Sequence, residues 1–246
     1  DAMLSGKVAF VTGGGSGIGR GTCQVLAREG AHVVVVDING SMAETTLKLL
    51  TGGNHMAHAC DITDRTKVEA VVQDVIGHYK TPPTIVANIA GICIKDTALT
   101  LTSEIFDKTF DVNVKGAMIV IQTICRELIQ RKLSASIINI GSRAWNMFFP
   151  EYLSYATSKA ALHKITKNVA KEMGEHGIRC NIIHPGLIET PMSMSHVTEE
   201  GRKDVINMAT LKRIGQPKDV AEVVLFLASD HSSFITGEDI EVSGGL

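Results

Sequence analysis

The chain has 246 residues, 44% of them hydrophobic and 20% charged, with a formal net charge of −2. That composition describes a soluble globular protein with an ample core and leaves no electrostatic case for nucleic acid. No apolar run reaches the ~18 residues that a membrane span needs. Five widely spaced cysteines (Cys23, Cys60, Cys93, Cys125, Cys180) lack any Cys-x-x-Cys pair. They suit structural thiols in a reducing compartment better than disulfides or zinc. Met3 reads as the native start, with Asp1-Ala2 an addition ahead of it. No signal peptide or Arg-rich transit segment is visible, and a cleaved one would leave no trace.

Lys7 to Thr12 reads as a short buried strand, followed by Gly13-Gly-Gly-Ser-Gly-Ile-Gly19 and a helix from about Gly17 to Gly30. Strand, glycine loop and helix in that order form a pyrophosphate cradle. Glycines let the backbone approach the phosphates, and the helix N-terminus presents free N–H groups. His32 to Asp37 is a second strand, too apolar to have a wet face. It ends on Asp37, 18 residues after Gly19. An acid there accepts from adenosine ribose hydroxyls and repels a 2′-phosphate. Ser16 and Ile38 stand where a basic residue would favour the phosphate, so the pattern points to NAD rather than NADP.

A helix near Ser41–Leu50 and a turn at Thr51–Asn54 lead to a third strand, Met56–Cys60, closed by Asp61-Ile62 beside the expected adenine. His55 and His58 lie on opposite faces of that strand, so no metal site is expected. Asp64 reads as the N-cap of a helix to about Tyr79. After Pro82-Pro83 comes a fourth strand, Thr84–Asn88, ending in Asn88-Ile89-Ala90-Gly91. Small residues there leave room for a dinucleotide. A long helical region spans Ser103 to about Lys132 and holds Asn113, mildly disfavoured in a helix. Asn113 is either a solvated face residue or holds something specific.

Ser136–Ile140 is a fifth strand entering Gly141-Ser142, and a serine there opens into the ligand crevice. A helix from about Tyr152 to His176 carries Tyr155 and Lys159, one turn apart on one face. A nearby ammonium favours phenolate, and acid–base work needs a pKa near working pH. Ile178–His184 is a sixth strand, ending in Pro185-Gly186. Leu187–Gly215 lacks strong periodicity and reads as an irregular lid. Its Met192, Met194 and Met208 make either a pliable apolar wall or plain packing. A helix at Pro217–Ser229 and a strand at Glu238–Ser243 complete the chain. The unbroken alternation predicts an α/β protein: one doubly wound Rossmann domain over residues 1–246, with a seven-stranded parallel sheet and helices on both faces. Its cofactor half is expected at about 1–135 and its catalytic and substrate half at about 136–246.

Thr12-Gly-Gly-Gly-Ser-Gly-Ile-Gly19, Asn88-Ile-Ala-Gly91, Asn113, Ser142, Tyr155-x-x-x-Lys159 and Pro185-Gly-x-x-x-Thr190 together resemble the short-chain dehydrogenase/reductase family. The likeness covers nearly the whole chain, and Ser142 lies 13 residues before Tyr155, as in that family. It departs at Ile89, where the family usually has a second Asn. The resemblance implies that Tyr155 is the acid/base and that Lys159 lowers its pKa and holds the nicotinamide ribose. Ser142 then holds the substrate oxygen, and Asn113 positions a water in a proton relay. Gly13, Ser16, Gly17, Ile18, Gly19, Asp37, Ile38, Asp61, Ile62, Asn88, Ala90, Gly91, Tyr155, Lys159, Pro185, Gly186, Ile188 and Thr190 are the implied cofactor contacts. Tyr152 is a decoy, since Ala156 and not a lysine stands four residues on.

Gly52–His55, His176–Asn181 and Thr236–Gly245 are similar to family members that handle 3-hydroxyacyl thioesters or 17β-hydroxysteroids in the mitochondrial matrix. That likeness implies a (3R)-3-hydroxyacyl/3-oxoacyl thioester substrate with NAD. Steroid oxidation is the alternative, and a catalytically idle scaffold subunit is the alternative of another class. It also implies a homotetramer, or a heterotetramer with a related subunit, in the mitochondrial matrix or else the cytoplasm. Arg131, Lys132, Lys212 and Arg213 could form a basic patch for an acidic carrier protein. His176 replaces a further basic residue of the related bacterial enzymes, which favours coenzyme A esters.

Overall fold

The computed structural model describes residues 2–246; Asp1, half of the expected N-terminal addition, lies outside the described residues. Seven strands form one sheet in the order β3-β2-β1-β4-β5-β6-β7, every neighbouring pair parallel. They are β1 (Val8–Thr12), β2 (His32–Asp37), β3 (Met56–Ala59), β4 (Ile85–Asn88), β5 (Ala135–Ile140), β6 (Ile178–Pro185) and β7 (Asp239–Val242). Among the described residues nine α-helices connect them: α1 (Gly17–Arg28), α2 (Gly40–Leu47), α3 (Arg65–Tyr79), α4 (Ser103–Phe110), α5 (Ala117–Arg131), α6 (Leu153–Met173), α7 (Pro191–His196), α8 (Glu199–Met208) and α9 (Pro217–Ala228). The sheet is the expected doubly wound one. Its winding reverses between β1 and β4, which opens a crevice at their carboxyl ends.

Helices cover both faces, so the central strands have no wet side and read as unbroken apolar runs. Successive side chains alternate between faces. Ala9 and Val11 of β1 pack with Leu26 of α1 and with Val220, Val224 and Leu227 of α9. Val8 and Phe10 turn to the other face, where Val68 and Val72 of α3, Ile124 and Leu128 of α5 and Val169 of α6 meet them. No helix among the described residues is long and apolar enough to cross a membrane.

Two segments differ from the sequence expectation. The helical region from Ser103 is not continuous α-helix: Asp111–Gly116 is a π-helical stretch between α4 and α5. The segment expected to be irregular, 187–215, instead contains α7 and α8, capped by Thr190 and Thr198. Neither helix fully buries any residue, so neither writes an apolar stripe into the sequence.

A polar ladder crosses the buried middle of the sheet. Asn88 Nδ2 on β4 donates to Asn139 Oδ1 on β5 at 2.9 Å, and Asn139 Nδ2 donates to Thr166 Oγ1 on α6 at 2.8 Å. All three side chains are buried. Buried polar groups left without partners are destabilising, so Asn139→Ala should lower unfolding free energy by about 2–4 kcal/mol. Denaturant titration of the variant checks this, and a loss below ~1 kcal/mol would mean the ladder contributes only what an ordinary satisfied hydrogen bond does.

Candidate active site

The glycine loop joins β1 to α1 at the crevice. Gly13 takes φ +65°, and a Cβ there would lie 2.8 Å from the Ala90 nitrogen. A Cβ on Gly19 would lie 2.0 Å from the Gly13 carbonyl oxygen. The loop therefore closes only with glycine at both places. Thr12 Oγ1 accepts from the Ile89 and Ala90 N–H groups at 3.0 and 3.2 Å, which ties the end of β4 to the end of β1. Ser16 occupies the N-cap of α1 without a side-chain cap, and no acid stands in the first turn. The first N–H groups of this helix thus face the crevice uncapped. Thr190 lies against that end, its Cγ2 3.0 Å from where a Gly17 Cβ would be.

Asp37 ends β2 with its carboxylate accepting from the N–H of Gly15 and of Asn39, both at 2.9 Å. Ile38 beside it is exposed. Two residues here escaped the sequence reading. A side chain at Gly15 would collide with Asp37 Oδ2 at 2.8 Å, so this third glycine serves the acid. Arg20 reaches back from α1 to the Gly15 carbonyl and donates to Thr46 Oγ1 at 3.1 Å. It is a basic residue in contact with this corner, and two of its five N–H donors are engaged by the protein. Asp61 accepts from the Thr63 N–H and hydroxyl at 2.9 and 2.7 Å. The Thr63 backbone hydrogen bond holds its carboxyl below the usual range. Ile62 packs into the space left by Gly116.

Other predicted residues stand further back. Asn88 is buried and committed to the ladder through Nδ2, while its Oδ1 has no partner. Ile188 belongs to the hydrophobic core, and its carbonyl accepts from the Ser193 hydroxyl. Pro185 ends β6, and the Gly186 N–H continues the strand by donating to Val242 O at 2.9 Å.

The three groups singled out for chemistry converge. Ser142 follows β5 in extended conformation and caps the turn Arg143–Trp145, its Oγ accepting from the Ala144 N–H at 3.2 Å. Tyr155 and Lys159 lie on the first turns of α6, with Lys159 Nζ 5.7 Å from the Tyr155 ring centroid. Lys159 is buried and donates to Ile140 O at 2.9 Å. Gly91 gives it room, since a Cβ there would lie 3.5 Å from Nζ and 3.2 Å from Asn113 Oδ1. Asp96, absent from the expected set, anchors the helix start: its carboxylate accepts from the Ser154 N–H at 3.0 Å and from the Ser154 hydroxyl. Tyr152 precedes the helix, its ring 5.8 Å from Lys95 Nζ and away from any helical lysine partner.

Asn113 resolves in favour of the specific role. It is buried, its Oδ1 accepts from Ile92 N at 2.8 Å, and its Nδ2 donates to Ile92 O at 2.9 Å and Ser158 Oγ at 3.0 Å. An amide side chain offers two donors and two lone pairs, so one lone pair remains. The side chain locks the loop after β4 to α6, and any water held at this point falls mainly to the main chain. The π-helical turn around it is a feature frequent at functional sites.

Residues 13–246 match the family described as enoyl-(acyl carrier protein) reductase. The human (3R)-3-hydroxyacyl-CoA dehydrogenase is 37% identical, with 99% of this chain and 96% of that protein covered. The 3-oxoacyl-[acyl-carrier-protein] reductase of Thermotoga maritima is also 37% identical, with 99% and 98% covered. The structure of a 7α-hydroxysteroid dehydrogenase with NADH and 7-oxoglycochenodeoxycholic acid superposes with a TM-score of 0.95 at 32% identity, covering 99% of this chain and 95% of that one. The chain belongs to the short-chain dehydrogenase/reductase family. It is an oxidoreductase acting on CH–OH groups, with a nicotinamide cofactor.

The residues present fit such a cofactor. The crevice has an uncapped helix N-terminus for a pyrophosphate, a carboxylate at the end of β2 and glycines wherever a Cβ would close the loop. Burial dominates the electrostatics of the site. It pushes the Tyr155 phenol up to about 12, with the Ser142 hydroxyl pulling the other way. The sequence led to the expectation of a phenol brought down by Lys159; in the protein alone burial sets the direction upward. Burial also pushes Lys159 itself down to about 8.

Lys159 thus stays cationic at neutral pH and discharges as pH rises through about 8. Potentiometric titration of the wild type minus Lys159→Met should show one proton leaving with a midpoint near 8, against 10.5 for an ordinary lysine. A difference curve centred near 10.5 would show that burial does not control this ammonium.

Proposed function

We propose that the protein is an NAD-dependent enzyme interconverting (3R)-3-hydroxyacyl and 3-oxoacyl thioesters, with coenzyme A esters as the readier substrates. The observation that carries the reaction is the meeting of Ser142, Tyr155 and Lys159 at the mouth of the crevice. Similarity over nearly the full length to 3-hydroxyacyl-CoA and 3-oxoacyl reductases supports the substrate class. Two residues of the basic patch are already engaged: Arg131 pairs with Glu127 and Arg213 with Asp219. That weakens the case for an acidic carrier protein.

When bound, the nicotinamide supplies or accepts the hydride. Gly13, Ser16, Gly17, Ile18 and Gly19 cradle its pyrophosphate. Asp37, Ile38, Asp61 and Ile62 flank the adenosine, and Asn88, Ala90, Gly91, Pro185, Gly186, Ile188 and Thr190 line the remainder. Tyr155, protonated at neutral pH, donates its proton to the ketone oxygen in reduction. Ser142 holds the same oxygen: its Oγ already accepts from Ala144, which leaves its hydrogen to donate. One Lys159 N–H is taken by Ile140 O, so two remain for ribose hydroxyls. Asn113 steadies the loop behind them, and its main chain positions a water. The helices α7 and α8 form a lid whose methionines wall an apolar substrate.

A hydroxysteroid is the second reading, favoured by the likeness to the 7α-hydroxysteroid dehydrogenase. An idle scaffold subunit has no use for the convergent site. Exposed Phe226 on α9 and Phe234 before β7 support a tetramer with dihedral symmetry, homomeric or with a related subunit. The mitochondrial matrix is the proposed location, on the earlier sequence likeness.

Steady-state turnover of an acyl-CoA and of estradiol, each with NAD and NADP, tests the reading directly. Thioester turnover should dominate, and Tyr155→Phe should lower kcat by about 10²–10⁴-fold with NADH affinity little changed. A variant within a few-fold of wild type would remove Tyr155 as the acid. Cofactor choice rests on Asp37, where a 2′-phosphate would meet a carboxylate. A desolvated contact to a charged group is worth about 1.5–3 kcal/mol, so NAD should be preferred by roughly tenfold or more. Asp37→Ala with Ile38→Arg should shift the kcat/KM ratio towards NADP. An unmoved ratio would show that Asp37 is not the selector.

A further inference from the structure

Beside Ser142 three rings stack. Trp145 lies on His163, centroids 4.0 Å apart and 8° from parallel, and 5.0 Å from His184. His163 Nδ1 and His184 Nε2 are 3.2 Å apart. His184 is wholly buried on β6, and its Nδ1 stands 3.2 Å from the Ser142 nitrogen and 3.1 Å from the Ser142 carbonyl oxygen. Gly141 makes the approach possible, since a Cβ there would lie 2.4 Å from Nδ1.

The hydrogen bonds choose a tautomer. The Ser142 carbonyl already accepts from the Trp145 N–H at 3.1 Å. The Ser142 N–H has His184 Nδ1 as its acceptor. A bare Nδ1 gives the Ser142 N–H its acceptor, while the Ser142 carbonyl has Trp145 in any case; Nε2 then carries the proton and donates to His163 Nδ1. A second proton on His184 would turn Nδ1 to the Ser142 carbonyl at 3.1 Å and take the acceptor from the Ser142 N–H, and one on His163 would set N–H against His184 Nε2–H.

We propose that His184, backed by His163, is a positioning residue that fixes the Ser142 main chain, and that the pair does so only while both rings are neutral. The inference rests on the reading that Ser142 holds the substrate oxygen. The surroundings favour neutrality. Lys159, Lys164 and Lys167 of α6 face the pair and oppose a further positive charge. The Ser142 backbone and Asp239 of β7 favour protonation; Asp239 is paired with Lys167 at 2.6 Å and Glu241 with Arg143. Burial pushes His184 down to about 4 and lowers His163 as well. Both neutral forms therefore persist below the ordinary histidine value of 6.5, and the arrangement is lost as pH falls towards 4.

The test uses the single tryptophan as reporter. A stacked imidazolium quenches indole fluorescence, so Trp145 emission and kcat should fall together between about pH 6.5 and 4. His163→Phe keeps the stack without that ring's nitrogens and should weaken the quench, leaving the part due to His184. His184→Leu removes the acceptor and should lower kcat at neutral pH by about 10- to 100-fold, with NADH affinity unchanged. His184→Asn offers an oxygen near the Nδ1 position and should recover most of that loss; it also carries the test if the leucine variant fails to fold. The proposal is overturned if His184→Leu keeps kcat within twofold, if the asparagine variant is no better than the leucine one, or if His184→Asn, which has no ring to protonate, retains the acid limb of kcat. Ser142→Ala runs alongside. If it keeps full turnover, the reading of Ser142 fails and this inference with it; if it loses turnover while His184→Leu does not, only this inference fails.

Discussion

A buried ammonium sets the terms for the site. Lys159 is nearly inaccessible, donates to the Ile140 carbonyl, and has Gly91 and Asn113 as near neighbours. No acid among its partners compensates it, and the charge is expensive to keep in such a place. The surrounding architecture holds it nonetheless. Ile140 ends a wholly buried strand, and α6 is anchored at its start by Asp96 and in its middle by Thr166. A lysine on a looser helix would swing to water and leave the phenol one turn earlier without a cationic neighbour.

Burial acts on the phenol in the same direction, towards neutrality. In the protein alone the pair favours a protonated tyrosine, and Lys159 is held close to discharge. Those are the ionisation states suited to giving a proton to a ketone oxygen. Taking a proton from an alcohol needs the phenolate, which burial opposes. The oxidised nicotinamide ring is cationic and the reduced one is not. Under the proposed function the cofactor's redox state therefore biases the phenol towards the direction it serves.

Much of the fold was legible in the sequence because parallel strands covered on both faces are apolar throughout. Val33 to Val36 and Ile137-Ile138 leave little choice of element. The glycine loop was legible for a local reason, strand and helix meeting across a turn that admits no side chain. Tyr155 and Lys159 were legible through helical spacing. What escaped depends on residues far apart in sequence or on surroundings that no pattern records. Examples are the collision that reserves Gly15 for Asp37, the π-helical turn that buries Asn113, and the ladder that takes up Asn88. The sign of the Tyr155 shift escaped too, because spacing shows a charge nearby but not how deeply both groups are buried. Thr190 and Thr198 were available as caps for α7 and α8, but without an apolar stripe between them they did not announce helices.

That last difference has a functional side. Tyr155, Lys159 and Ser142 ride on elements packed into the core, and polar contacts tie those elements to one another. The lid is attached differently. It is anchored at its start by Ile188 in the core and by Thr190 at the glycine loop, and at its far end by the Leu211 N–H bonded to Gly244. Between those anchors α7 and α8 bury little. Under the proposed function, substitutions on these helices can reshape the apolar wall around a substrate without passing strain to α6 or β5. Under the proposed function, substrate preference and proton chemistry sit on separate mechanical units, joined at Thr190, where the lid meets the cofactor loop. Related enzymes acting on acyl thioesters and on bile acids then need to differ mainly in the first unit.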